Sequence, residues 1–376
     1  MREFLTLASL TRYLRDHAVV ENARIQATDL KQAEFAGAVF KKVDFGACNL
    51  AGSNLAESVF LDCRLVDADL GSANLENAFF NGCDFSGASL DSAKGIDAAF
   101  HDCTFRQTSF RQAQLRDNNF MESLFKNATF DGADLSSANF AKCVIHDTVF
   151  SKALLQMVVF AECQLTRIDI SNTCLDQLMV YEGVLRGSNL AGAQFQMCAL
   201  VKVDLSEMDL RGLDFSRTQF VNADLAGVNL SGSRLDQCNF TEANLNKANL
   251  DGVSAANALF YRANLMDATL TDSTLTQCLF KEAQLDRARL RGSSAVQSNW
   301  VGARAPGCDF SGMDLTYADF SHADLTSSQF HDSTMFRADF HQTNETDARI
   351  PARTAALGTN AERLQAEQWR PDLKGL

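Results

Sequence analysis

Positive charge is in short supply in this chain. Its 34 Lys and Arg face 47 Asp and Glu, leaving a formal charge of −13. A general nucleic-acid binder needs a basic footprint, and an anionic membrane surface also attracts basic residues, so direct binding to either is excluded. Long apolar runs are missing too. The N-terminal MREFLTLASLTRYLRDHAVV keeps an apolar run of only about seven residues before Arg12, Arg15 and Asp16 break it, too short and too charged for a signal peptide or a membrane span. A cytoplasmic location is expected, or export without a cleaved signal. Proline (3) and tyrosine (4) are few. No CxxC pair occurs, which removes the usual zinc and redox signatures. No GxGxxG or Walker loop opens a helix and no GxSxG elbow appears, so neither an enzyme nor a cofactor is expected.

What the chain has is apolar content, 46% against 22% charged, enough for a large core. It also has 28 phenylalanines, and these are not scattered. Of the 64 positions divisible by five between Ile25 and Phe340, 54 are Leu or Phe, and no insertion breaks the register. Two residues before each such centre the side chain is nearly always small, as at Ala33, Ala38, Cys48, Ser53 and Ala68. Between them Asp or Asn is frequent, as at Asp44, Asn49 and Asn54. The unit reads A(D/N)LXX, written as ADLGS at 68–72 and ANLEN at 73–77.

This pattern resembles the pentapeptide-repeat family over about residues 23–343. The resemblance implies an all-β fold, a right-handed parallel quadrilateral β-helix in which four pentapeptides make one coil. The centre and the small residue point inward and the other three residues point out. The sequence supports four faces independently. Positions twenty apart from Phe40 to Phe340 are aromatic in 14 of 16 cases, while the next column, from Leu165 to Leu285, is leucine. About 16 four-sided coils at the strand spacing would span roughly 75 Å. Residues 1–22 are expected to form an N-terminal helical cap and 344–376 a C-terminal tail with a short helix, because an open coil exposes unpaired strand edges. Coils near 165–215 and 293–307 are expected to be irregular. In the first, Ile168, Leu178, Met208 and Leu213 enlarge the small position. In the second, Ala295 and Ala305 are undersized centres and Pro306 interrupts.

Ten of the eleven cysteines sit at the small inward position, and only Cys174 departs. Cys63, Cys83, Cys103, Cys143 and Cys163 share a column with Val43, Ser123, Ala223 and Ala243, so they are read as buried packing residues chosen for size. His322 and His341, nineteen apart, fall nearly above one another, close to Asp319 and Asp339. That set would hold a metal only weakly. His331 is half a coil away, and the histidines are read as solvated surface residues, so no metal site is expected.

Two surface features suggest partners. Residues flanking a centre point outward, and on the face with centres at 40, 60, 80 and onward 18 of 32 such positions are apolar, against 6, 8 and 3 on the others. They include Val39, Val59, Leu61, Phe79, Met121, Val159, Met179, Tyr181, Val201, Val221, Leu259, Tyr261, Leu279 and Val301. An apolar stripe of this kind marks a protein-partner or homodimer face. The second feature is acidic: Asp309, Asp314, Asp319 and Asp324 take the same outward position on four successive faces, with Asp339 beyond them. Some pentapeptide-repeat proteins are thought to mimic DNA and bind type II topoisomerases, as in quinolone resistance. Here the charge density is about one net charge per 6 Å, against about one per 1.7 Å for DNA. The favoured reading is a non-enzymatic scaffold or adaptor. Large members with extra terminal segments resemble bacterial accessory proteins, some associated with secretion systems. The acidic DNA mimic is the alternative.

Overall fold

A computed structural model describes residues 2–26 and 28–369. Met1 and Ala27 lie outside the described residues, as do 370–376 of the expected tail. The chain divides into two compact units, Met1–Asp204 and Leu205–Leu376.

In both units the five-residue unit is a backbone rule as well as a hydrophobic one. The centre and the small residue two places before it are almost always buried, and the other three reach solvent with few exceptions, Asp286 and His341 among them. The residue two places after each centre, from Asn22 to Asp347, has φ between 50° and 76° wherever it is described. A left-handed residue at every fifth position turns the chain onto the next face. Its strain is offset by a backbone bond, since its N–H donates to a carbonyl one coil on, as from Gln32 to Ala51 (3.0 Å) and Glu57 to Glu76 (2.8 Å). Val, Ile and Thr occupy none of these positions, as expected where β-branched side chains clash with positive φ. Gly232 isolates the effect, because a Cβ there would meet nothing within 4 Å. Gly232→Val is expected to lose about 1–2 kcal/mol in chemical denaturation and Gly232→Asn a few tenths.

Residues twenty apart pair in parallel. In unit 1 one face is a ten-stranded parallel sheet of three-residue strands, running from Val19–Glu21 to Ala199–Val201. Phe40 lies beside Phe60, Phe60 beside Phe80 and Phe80 beside Phe100. Their rings stack inside at 4.9, 4.8 and 4.9 Å. Unit 2 pairs through isolated parallel bridges, such as Asn239↔Leu259 and Leu259↔Leu279. Its ladder runs Phe220, Phe240, Phe260, Phe280, Trp300 and Phe320 at 4.0–5.5 Å.

The local cause of this difference is the turn. In unit 2 the ladder residues start hydrogen-bonded turns, as in Ala223 N–H to Phe220 O (3.1 Å) and Ala263 N–H to Phe260 O (3.1 Å). On the stranded face of unit 1 the side chain at the same position bonds instead. The thiols of Cys63, Cys83 and Cys103 donate to the carbonyls two residues before them, at 3.4, 3.5 and 3.3 Å. Ser123 does the same at 2.9 Å. Val43, Gly183 and Val203 share this column without a donor, so size remains the common demand and the thiols and Ser123 add a hydrogen bond where they occur.

The coils near 293–307 are regular, contrary to the sequence expectation. Pro306 falls at the second turn residue, where its fixed φ is compatible with the turn, and Cys308 N–H still reaches Ala305 O (3.3 Å). Trp300 fills the core between the two undersized alanines. Near 165–215 the bulky Ile168 and Leu178 are nonetheless buried, while Leu213 is only half-buried.

Helix α1 (Leu7–Asp16) begins in a capping box between Thr6 and Ser9 and buries Leu10. The strand before it, Arg2–Phe4, pairs with Ala23–Ile25 and covers the first coil edge. At the other end Leu357 bonds Ala338 O (2.8 Å) and accepts from Phe340 N–H (3.1 Å), adding a partner to the last coil. Helix α2 (Ala361–Gln368), N-capped by Asn360, follows, and none of its own residues is buried.

Candidate functional site

The apolar residues singled out in the sequence point outward. In unit 1 Val39, Val59, Leu61, Met121, Val159, Met179 and Val201 are half-buried, and Phe79 and Tyr181 are 37% and 40% exposed. Strand register gathers them on one sheet face, Val39 beside Val59 beside Phe79, and Tyr181 beside Val201. In unit 2 Val221, Tyr261, Leu279 and Val301 are half-buried and Leu259 is exposed. Leu259 pairs with Leu279, and the Arg262 guanidinium lies over the Tyr261 ring at 4.9 Å. The two sets belong to separate units.

Unit 1 carries more apolar surface than the flanking positions revealed. Met157 and Met197, 43% and 51% exposed, occupy the left-handed corner leading onto the stranded face. Leu154, 49% exposed, stands on the adjoining face. The signal was available: methionine at a corner position that elsewhere among the described residues is polar or glycine except at Ala47 and Tyr317.

The aspartates are built into turns. Asp309, Asp314, Asp319 and Asp324 each accept the N–H two residues on, at 2.8–3.1 Å. Asp314 and Asp324 also accept the hydroxyls of Thr316 and Thr326 at 2.6 Å. Asp339 accepts from His341 N–H (2.9 Å) and pairs with Arg363 (3.3 Å). Elsewhere acids face bases one coil away, as in Arg64–Asp44 (3.1 Å), Lys202–Glu182 (2.8 Å) and Arg287–Asp267 (2.7 Å).

The ten inward cysteines are free and buried, and Cys174 is exposed. Burial pushes the Cys48 thiol up to about 11 and those of Cys198, Cys238 and Cys278 to about 12. In Cys63 and Cys83 the hydrogen bond to the next thiol of the column, together with burial, also raises the pKa. Burial closes all ten to a reagent in solution, because a thiol must be reached before it can react. Native protein treated with a thiol-disulfide reagent at neutral pH is therefore expected to release about one equivalent rapidly, from Cys174, with the remainder of the eleven cysteines appearing only in denaturant.

His341, read from the sequence as a solvated residue, is fully buried, because α2 folds back over it. Its Nε2 lies 3.0 Å from Glu367 Oε2, and His322 Nε2 lies 3.4 Å from Glu367 Oε1. The His341 hydrogen bond, with help from Arg363, holds the Glu367 carboxyl down at about 2. His331 is exposed, and the nearby Asp319 bonds Ser321.

None of the curated proteins compared matches the chain. Among solved structures, HetL from the cyanobacterium Nostoc sp. strain PCC 7120, a pentapeptide repeat protein involved in heterocyst differentiation regulation, is 25% identical. It covers 59% of this chain and 89% of its own, with a TM-score of 0.37. QnrB1, a plasmid-mediated fluoroquinolone resistance protein, is 18% identical over 57% of this chain and 93% of its own, with a TM-score of 0.27. Rfr23 from the cyanobacterium Cyanothece 51142, another pentapeptide repeat protein, is 19% identical over 37% and 88%, with a TM-score of 0.19. The family model described as pentapeptide repeats in eight copies matches 21–56 and overlapping stretches covering 188–342, and that of the pentapeptide repeat region matches 73–148. With these matches over more than half of its length, and with its core, corners and pairing all repeating in fives and twenties, the chain belongs to the pentapeptide repeat family.

Proposed function

We propose that this protein is a non-enzymatic, cytoplasmic interaction scaffold whose docking surface is the outer face of the ten-stranded sheet in unit 1. The supporting observation is the in-register apolar strip, with Phe79 and Tyr181 exposed and the corner methionines Met157 and Met197 widening its far end. Nine strand spacings by three residues give a strip of roughly 43 by 10 Å, or roughly 430 Å². That is about half of what each partner buries in a standard interface, too little for a stable wall-to-wall homodimer. The width matches a single helix, and methionines accommodate varied apolar partners. The occupant we favour is an amphipathic helix of a partner protein laid along the strip.

A Val59→Asp/Tyr181→Asp variant tests this reading. Both side chains point outward, so the variant is expected to melt as the parent does and to lose its partner by at least about tenfold in affinity, since a charge faces an apolar contact. Normal partner binding by that variant would remove the strip from the account. A gyrase supercoiling assay is expected to show no inhibition, and inhibition at low micromolar protein would favour the acidic mimic instead.

A further inference from the structure

At the end of unit 2, two turns one coil apart and the C-terminal helix bring three donor side chains together. His322 occupies a left-handed corner (φ 61°), with its N–H bonded to His341 O at 2.9 Å. His341 follows Phe340, with its own N–H fixed by Asp339. Helix α2 brings Glu367 against the Nε2 atoms of both imidazoles, and one ring nitrogen from each histidine and a carboxylate oxygen all lie within 4.8 Å of one another. Two imidazoles and a carboxylate facing one point, with His322 and Glu367 open to solvent, form the donor set of a four-coordinate transition metal with water in the fourth place. We propose that His322, His341 and Glu367 bind a divalent transition-metal ion of the zinc class, which pins α2 to the last coil.

The helix needs such a pin, because none of its own side chains is buried to anchor it. Its other polar attachments to this corner include Arg363, which reaches Asp339 (3.3 Å) and Ser321 (3.1 Å). Proton placement sets the strength of the site. Without metal, His341 Nδ1 accepts from Asn360 N–H (3.1 Å), so the ring proton sits on Nε2 and is donated to Glu367. Binding through Nε2 moves that proton to Nδ1, and the exposed Asn360 N–H turns to water. Losing that hydrogen bond weakens the site roughly tenfold, so affinity on the order of micromolar is expected rather than that of a closed structural zinc site. Two imidazole donors disfavour magnesium and calcium.

The test is zinc titration of the full chain by calorimetry, in a Cys174→Ala background that removes the exposed thiol, with hydrogen exchange of α2 as a second readout. One equivalent of zinc is expected to bind and to slow exchange over 361–368, and millimolar magnesium is expected to do neither. His322→Ala and Glu367→Gln change half-exposed side chains, so the fold is retained, and each is expected to weaken zinc at least tenfold. Absence of binding, binding that Glu367→Gln leaves unchanged, or binding that leaves α2 exchange unaltered would overturn the proposal.

Discussion

Phe100→Ala is expected to destabilise unit 1 by about 3–5 kcal/mol, the cost of an unfilled aromatic cavity in a core. Phe100 is fully buried. Its ring stacks on Phe80 at 4.9 Å and Phe120 at 5.0 Å and meets Phe85 and Phe105 edge-on at 6.0 and 5.6 Å. In-register pairing fixes the rings above and below, so the site cannot collapse by sliding one coil. The small residues of the neighbouring faces, such as Ala98 and Cys103, are too short to fill the gap. Phe100→Leu retains most of the volume and is expected to cost about 1 kcal/mol. Because each coil contacts only its neighbours, the damage should be local. Hydrogen exchange is the suitable measurement: opening free energies should fall most at 79–81 and 119–121 and hardly at all in unit 2.

Arg304→Ala is expected to destabilise unit 2 clearly more than the double variant Asp286→Ala/Arg304→Ala does. The Asp286 side chain is only 8% exposed and holds the guanidinium through both oxygens, Nε at 3.0 Å from each and Nη2 at 2.8 Å from Oδ1. Removing arginine alone strands a carboxylate that water barely reaches. Removing both leaves a small apolar gap. Arg304 is itself 61% exposed, so the cost stays below that of breaking a fully buried pair. Denaturation of the two singles and the double gives the coupling directly.

The period makes most of the architecture legible in the sequence. A centre every fifth residue specified the inward set, and aromatic columns twenty apart specified four faces, because in-register stacking selects side chains that resemble those above and below. The corner rule was equally present, in the absence of Val, Ile and Thr two places after each centre, but it shows only when an absence is read as a constraint on φ. The donor role of Cys63, Cys83 and Cys103 was harder to see. Serine in the same column hinted at it, yet Ala223 and Ala243 in unit 2 masked the hint, because there the backbone turn makes its own bond. What repetition cannot encode is contact made once. His341 is buried by a helix that folds back from 361–368, and nothing in the spacing of His322, His341 and Glu367 announces that return. The surface strip was legible on the face and not at its corner, because Met157 and Met197 stand outside the flanking positions.

Position-resolved photo-crosslinking tests the scaffold account most directly. A photo-reactive phenylalanine analogue at position 79 or 181 samples the apolar strip, and the same analogue at 109 or 129 samples the polar face of unit 1. The account predicts crosslinks to one protein partner from 79 and 181, none from 109 and 129, and loss of the signal from 79 when Val59→Asp is added. Equal crosslinking from both faces, or none from 79 and 181 in the native host, would contradict it.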